Sequence, residues 1–189
     1  MSRIGRKPIN IPAGVDVKMD AGVVTVKGPK GELVQKVVSG VKVVLSDDKK
    51  NVVVDRESNS KRDRALHGLY RQLIDNMMLG VTQGYSRGLR IVGTGYRVEL
   101  KGRVLSLVCG YCAPQEFPLP NGIEIEIPKQ TSRESMDFIV RGIDKQMVGE
   151  VASRLRRIRP PDLYQGKGIR YINENVRRLE GKSFGSGGK

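Results

Sequence analysis

From Val15 to Val54 the chain alternates apolar and polar residues with a period of two. Val15, Val17 and Met19 form one run, and Ala21-Gly22 turns the chain into Val24 and Val26. Gly28-Pro29-Lys30-Gly31 is a second turn, followed by Leu33, Val34, Val37 and Val38, then Val41, Val43 and Leu45. Asp47 to Asn51 form a polar turn ahead of Val52-Val53-Val54. Valine dominates, as half-buried strands favour, so the segment reads as a β-meander.

The period then changes. Leu66, Leu69, Tyr70, Leu73, Ile74, Met77 and Met78 recur at three and four residues, which places them on one face of a helix. Ser60 with Asp63 resembles a capping box, and Gly80 is placed to end the helix. Arg64, His67 and Arg71 fall on the opposite face, where His67 is expected as a surface or RNA-facing side chain rather than a catalyst. The second half repeats this order. Strand patterns cover Leu89–Val92, Tyr96–Leu100, Val104–Cys109, Gln115–Leu119, Ile123–Ile127 and Asp137–Val140. A helix then starts near Asp144, with Asp144 as N-cap and Ile143 and Val148 as a hydrophobic staple. Met147, Val148, Val151, Leu155 and Ile158 are its apolar stripe, and Pro160-Pro161 stops it.

The two halves align by offset. Val15 and Val17 match Tyr96 and Val98, and Val24 and Val26 match Leu105 and Leu107, each 81 residues on. The pattern predicts an internal duplication of fold class α+β, two tandem domains that each pack a small antiparallel sheet with one helix. The expected division is a first domain over residues 1–82 with a basic N-terminal arm, a second over 83–160, and an extended basic tail over 161–189.

Charge changes the picture. The chain of 189 residues has 34 Lys and Arg against 20 Asp and Glu, a net charge of +14. Residues 153–189 hold ten basic and three acidic residues, so half of the excess lies in the last fifth of the chain. Such a block repels itself unless an anion screens it, which points to a nucleic-acid partner. A single His and two Cys argue against a histidine triad, a multi-His metal site or a disulfide framework. No cofactor, metal or small-molecule substrate is expected. No apolar run is long enough to span a membrane, and the opening Met1–Pro8 has no apolar stretch of the secretory kind.

Three short motifs have plain readings. In Cys109-Gly110-Tyr111-Cys112 the first cysteine continues a strand, whereas thiol chemistry needs it at a helix N-terminus. Cys109 is expected in the core and Cys112 in a turn. Gly93-Thr94-Gly95 lacks the third glycine of a dinucleotide fingerprint, because position 98 is Val. The glycines around Pro29-Lys30 lack the spacing of a phosphate-binding loop and suit a hairpin.

The carboxyl end carries the strongest signal. Arg154, Arg156, Arg157, Arg159, Lys167, Arg170, Arg177, Arg178 and Lys182 are spaced along a path broken by Gly and Pro, with Tyr164 and Tyr171 between them. Guanidinium groups pair with phosphates, tyrosines stack on bases or pack on sugars, and Gly166 and Gly168 admit a ribose-phosphate backbone. Arg3, Arg6 and Lys7 form a second, weaker candidate site.

The run Pro160-Pro161-Asp162-Leu163-Tyr164-Gln165-Gly166-Lys167-Gly168-Ile169-Arg170-Tyr171 closely resembles the signature of the bacterial-type large-subunit ribosomal protein six family. The opening Met1–Ile9, Ile11–Val15, Val24–Gly31, Val92–Arg97 and Gly142–Lys145 resemble it too, so the likeness runs from Met1 to about Arg178. Asp162 and Gln165 depart from the family's Glu and Lys, and Gln165 removes one phosphate partner. The resemblance implies a duplicated α+β protein that is not an enzyme. It implies binding to large-subunit rRNA near the sarcin–ricin region and the base of the factor-binding stalk, beside other large-subunit proteins. It further implies a bacterial ribosome or an organellar one, the plastid stroma ahead of the mitochondrial matrix. The rivals are a thiol oxidoreductase using Cys109 and Cys112 and an RNA-binding regulator outside the ribosome.

Overall fold

The computed structural model describes residues 4–20, 22–46, 51–128 and 134–179. They divide into two compact units. The first comprises the described residues up to Tyr85 with Gly142–Lys145; the second comprises Ser86–Arg141 and the described residues from Gln146 onward.

In the first unit, β2 (Asp16–Asp20), β3 (Val23–Gly28) and β4 (Gly31–Lys36) form an antiparallel meander. The hairpin between β3 and β4 closes at Gly28 opposite Gly31, across Pro29-Lys30. A second sheet has the order β1-β6-β5, from β1 (Ile9–Asn10), β6 (Asn51–Arg56) and β5 (Val41–Leu45). Helix α1 (Lys61–Thr82) packs on strands of both sheets. Alternation supplies the buried faces: Val24 and Val26 from the meander, and Ile9, Val52 and Val54 from the second sheet. Tyr70, Ile74, Met77, Met78 and Val81 come from the helix.

Local chemistry sets the ends of α1. The Ser60 hydroxyl accepts the Asp63 N–H at 3.0 Å, half of a capping box. The other half is missing, because the Asp63 carboxylate takes the Ser58 hydroxyl instead. Gly80 does not end the helix, which continues to Thr82. Gln83 and Gly84 both donate to the Leu79 carbonyl, and Gly84 takes the left-handed conformation with φ 76°. Gly80 is glycine for another reason: a Cβ there would stand 2.2 Å from the Ile143 carbonyl oxygen.

The buried face of α1 also differs from the sequence pattern. Leu69 is exposed and His67 is buried. The His67 Nε2 lies 2.9 Å from the Val54 carbonyl oxygen, and Gly5 packs against the imidazole ring. His67 is therefore an interior residue of the first unit, held by strand β6, and not the surface residue its position among arginines suggested.

The second unit repeats the arrangement. Strands β8 (Arg97–Lys101), β9 (Val104–Val108) and β10 (Gln115–Pro118) form a meander ordered β10-β9-β8. The other sheet is ordered β11-β12-β7-β13, from β11 (Ile123–Glu126), β12 (Ser135–Gly142), β7 (Tyr85–Val92) and β13 (Gly168–Tyr171). Cross-strand register preserves the repeat: Val17 faces Val26 in the first meander, and Val98 faces Leu107 in the second. Strands β7, β12 and β11 occupy the places of β1, β6 and β5. Helix α2 (Lys145–Ile158) buries Val148, Val151, Ala152 and Leu155, while Met147 is exposed. Ile143, expected as a staple on α2, packs against the core of the first unit.

Strand β13 has no counterpart in the first unit among the described residues. It pairs antiparallel with β7, setting Ile169 opposite Ile91 and Tyr171 opposite Leu89. Residues 168–171 are thus part of a sheet, within the segment expected as an extended basic tail from 161 onward. Ile169 is fully buried, so its side chain ties the basic segment down to the sheet.

Candidate nucleic-acid interface

The chain leaves α2 at Pro160-Pro161 and enters a compact turn. The Asp162 carboxylate accepts the N–H groups of Gln165 at 2.8 Å and Tyr164 at 3.3 Å. These bonds, the Gln165 N–H first, hold the Asp162 carboxyl below the ordinary carboxylate range. The Asp162 N–H donates to the Lys167 carbonyl, and the Gly166 N–H returns to the Asp162 carbonyl. Further along, the Ile169 N–H donates to Arg159 and the Leu179 N–H to Leu163. The described part of the basic segment is therefore folded along its length onto the second unit.

The turn projects Leu163 and Tyr164 outward; Tyr164 is 59% exposed. Gly168 plays a different part from the one its sequence context suggested. With φ 139°, it would place a Cβ 2.5 Å from the Pro160 carbonyl oxygen. Its glycine requirement comes from internal backbone packing rather than from room for a ligand.

The arginines separate by their partners. Arg156 makes a two-pronged contact with Glu174, its Nε donating at 2.9 Å to Oε2 and its Nη2 to Oε1. Glu174 also accepts the Tyr171 N–H at 3.1 Å. The Arg156 guanidinium, then burial acting the other way, leave the Glu174 carboxyl below its usual range. Arg90 forks onto Asp137 at 2.6 and 2.8 Å and lowers that carboxyl as well. Arg170 stands directly opposite Arg90 across the β13–β7 pair. Like charges at such a position repel, and the charge of Arg170 acts on both Asp137 and Glu174. Its Nε is shielded from solvent and has no hydrogen-bond partner among the described residues. Arg159 lies over the Tyr111 ring at 5.2 Å, and Arg87 lies over Tyr171 at 4.7 Å.

Arg154 pairs with Glu150 one helical turn away, but both side chains are more than half exposed, so water screens the pair. Arg157, Lys167, Arg177 and Arg178 are exposed, and no carboxylate pairs with any of them among the described residues. Arg178 rests its guanidinium over Gly166. Arg6 and Lys7 are exposed in the first unit, where the Lys7 carbonyl accepts Arg71 Nε at 3.4 Å. Arg3 and Lys182 lie outside the described residues.

Sequence reasoning missed Glu174, Arg90, Asp137 and Arg87. Nothing local marks a lone Glu in a basic run as an organiser, because its partner sits 18 positions away. Asp162 could have been found: Asp after Pro and four residues before Gly is a turn signal.

Cys109 follows β9 rather than opening a helix, and burial pushes its thiol up against a weaker effect of Arg159; Cys112 is exposed. Among the described residues no cluster of His, Cys, Asp or Glu is placed to hold a metal. No described helix is long and apolar enough to cross a membrane.

The chain is a duplicated α+β scaffold whose second unit ends in a stretch of exposed cations. The ribosomal protein L6 family model matches residues 11–84 and 92–172, one segment in each half. The chain is also similar over its full length to the large ribosomal subunit protein uL6 of Carboxydothermus hydrogenoformans. That relative is 49% identical over 189 residues, all of both chains. The uL6 proteins of Caldicellulosiruptor bescii and Caldicellulosiruptor saccharolyticus are 49% and 48% identical, again over all of both chains. The chain belongs to the ribosomal protein L6 family, and is thus a ribosomal protein and not an enzyme. These relatives are bacterial, and they lend no support to a preference for plastid over mitochondrion.

Proposed function

We propose that this chain is a structural constituent of the large subunit of a bacterial ribosome and binds large-subunit rRNA through the carboxyl-terminal face of its second unit. The observation that carries this reading is that Arg157, Lys167, Arg177 and Arg178 are exposed with no carboxylate partner among the described residues, and that the ring of Tyr164 is exposed in the same carboxyl-terminal stretch. Such cations gain more from a phosphate than from solvent ions, because binding releases the counterions of the RNA. A folded platform of this kind reads shape and backbone rather than base sequence. The Asp162 turn adds to it by fixing Tyr164 and Lys167 before any RNA arrives. In the ribosome this face meets rRNA near the sarcin–ricin region and the base of the factor-binding stalk, with neighbouring large-subunit proteins alongside. Its work there is to hold rRNA helices in place for translation.

The test is binding of the full chain to protein-free large-subunit rRNA as a function of KCl. Tight binding with a steep salt slope is expected. Replacing Arg157, Lys167, Arg177 and Arg178 together by Gln should lower the magnitude of that slope by about 3, near 0.7–0.9 for each phosphate contact. A slope unchanged by the fourfold variant would overturn the assignment of this face. Sedimentation with large subunits after a high-salt wash separates a ribosomal constituent from a free RNA-binding regulator.

A further inference from the structure

Glu174 is the one carboxylate between Leu163 and Leu179, in the most cationic part of the chain. Counted as charge alone, it should oppose an anionic partner. Its position argues otherwise. The Arg156–Glu174 pair is only 32% and 23% exposed, against 62% and 51% for Arg154–Glu150. A half-buried, two-pronged pair is less screened and more directional than an exposed one. Glu174 also receives the Tyr171 N–H at the end of β13, so one carboxylate joins helix α2 to the strand that precedes the outermost cations.

We propose that Glu174 is a positioning residue for RNA binding: it takes Arg156 out of the RNA-facing set and uses it as a clamp that pre-shapes the segment carrying Arg177 and Arg178. The inference rests on the RNA-binding reading above and assigns roles within that site. Arg156 contributes to affinity through Glu174, and Arg157, its neighbour on the helix, contributes through phosphate. The gain comes from order: a segment held in its bound shape loses less conformational freedom on binding.

The experiment uses full-length variants, protein-free large-subunit rRNA, and KCl from about 50 to 200 mM, the range over which phosphate contacts are most legible. Glu174→Gln removes a negative charge from a cationic face, yet it should weaken binding roughly tenfold, about 1.4 kcal/mol, with the salt slope unchanged. Arg156→Gln should produce the same loss at the same slope. The double variant should be no weaker than either single one, because the two side chains act as one contact. Arg156→Lys keeps the charge but not the fork, and should lose affinity as Arg156→Gln does. Arg157→Gln, by contrast, should reduce the slope by about 0.7–0.9.

Equal or tighter binding by Glu174→Gln overturns the proposal, as does an Arg156→Gln slope reduced by a full contact. Amide exchange at Ile169, whose N–H is held by the Arg159 carbonyl, reads the fold independently. Protection there should survive in all five variants, and its loss together with affinity would make Glu174 a residue of the fold alone. If the unsubstituted chain shows no salt-dependent binding, the RNA-binding reading itself fails, which is a different outcome from any of these.

Discussion

The two units share strand order and register, yet they end differently. In the first, α1 runs for 22 residues and hands the chain to the next repeat through Gly84. In the second, α2 has 14 residues and stops before Pro160-Pro161. The chain then returns to its own sheet and adds β13 outside β7. The place equivalent to β7 in the first unit is the two-residue β1, at an edge of its sheet. A duplicated scaffold can thus acquire a binding face by extending one copy at a sheet edge, where backbone donors and acceptors are available. The core of the repeat need not change.

The largest expected effect sharpens this comparison within the cores. Phe138 and Ile74 are each fully buried, one per unit. Phe138→Ala should cost about 3–5 kcal/mol and Ile74→Ala about 2–5 kcal/mol in urea unfolding. Site-resolved amide exchange should show the Phe138 loss first at β7 and β13, and the Ile74 loss first at β3 and β6. A uniform loss of protection across both units would erase the distinction.

Next comes the added strand. Gly168→Ala must accept both a left-handed φ and a clash with the Pro160 carbonyl, at a cost of about 1–3 kcal/mol. The loss should be visible as faster exchange of the Ile169 amide, with the first unit unaffected. Unchanged exchange there would mean that β13 is not anchored by this approach.

Helix α1 starts on Ser60, so Ser60→Ala should cost about 1 kcal/mol in thermal or urea unfolding. A neutral result would show that Asp63 and Ser58 cap the helix without it.

The smallest effect is on acidification. Asp137 and Glu174 have carboxyls held low by Arg90 and Arg156. Such groups contribute stability that is present above about pH 4, the range of the unfolded carboxyls, and is lost as pH falls through their lower folded values. Partial exposure limits each pair to less than about 1 kcal/mol. The melting temperature should therefore fall below about pH 4, and less steeply in a Glu174→Gln variant. An identical acid profile in that variant would remove Glu174 from the account.

Most of the scaffold was legible because it follows periodicity. Val17, Val26, Val98 and Leu107 alternate in sequence and face one another in space. The misreadings have local causes. Gly80 looked like a helix stop because a glycine near the end of an apolar pattern usually is one, but here it makes room for Ile143. His67 looked exposed because its neighbours are arginines, while the helix turns it toward β6. Short strands such as Ile9–Asn10 carry too few residues for a period to show.

The candidate site was half legible. Its location followed from the uneven charge of the last fifth of the chain, a property of composition that needs no fold. Which arginines face outward did not follow, because this depends on partners that only folding supplies.

Alone, the sequence determined the duplicated α+β plan, the buried valines and the cationic carboxyl end, all properties of neighbours along the chain and of residue type. Tertiary structure decided that Ile169 enters a sheet, that Arg156 is taken up by Glu174, and that Arg157 remains open. The physical reason is that pairing between distant residues is selected by packing, and a pattern confined to neighbouring positions carries no record of it.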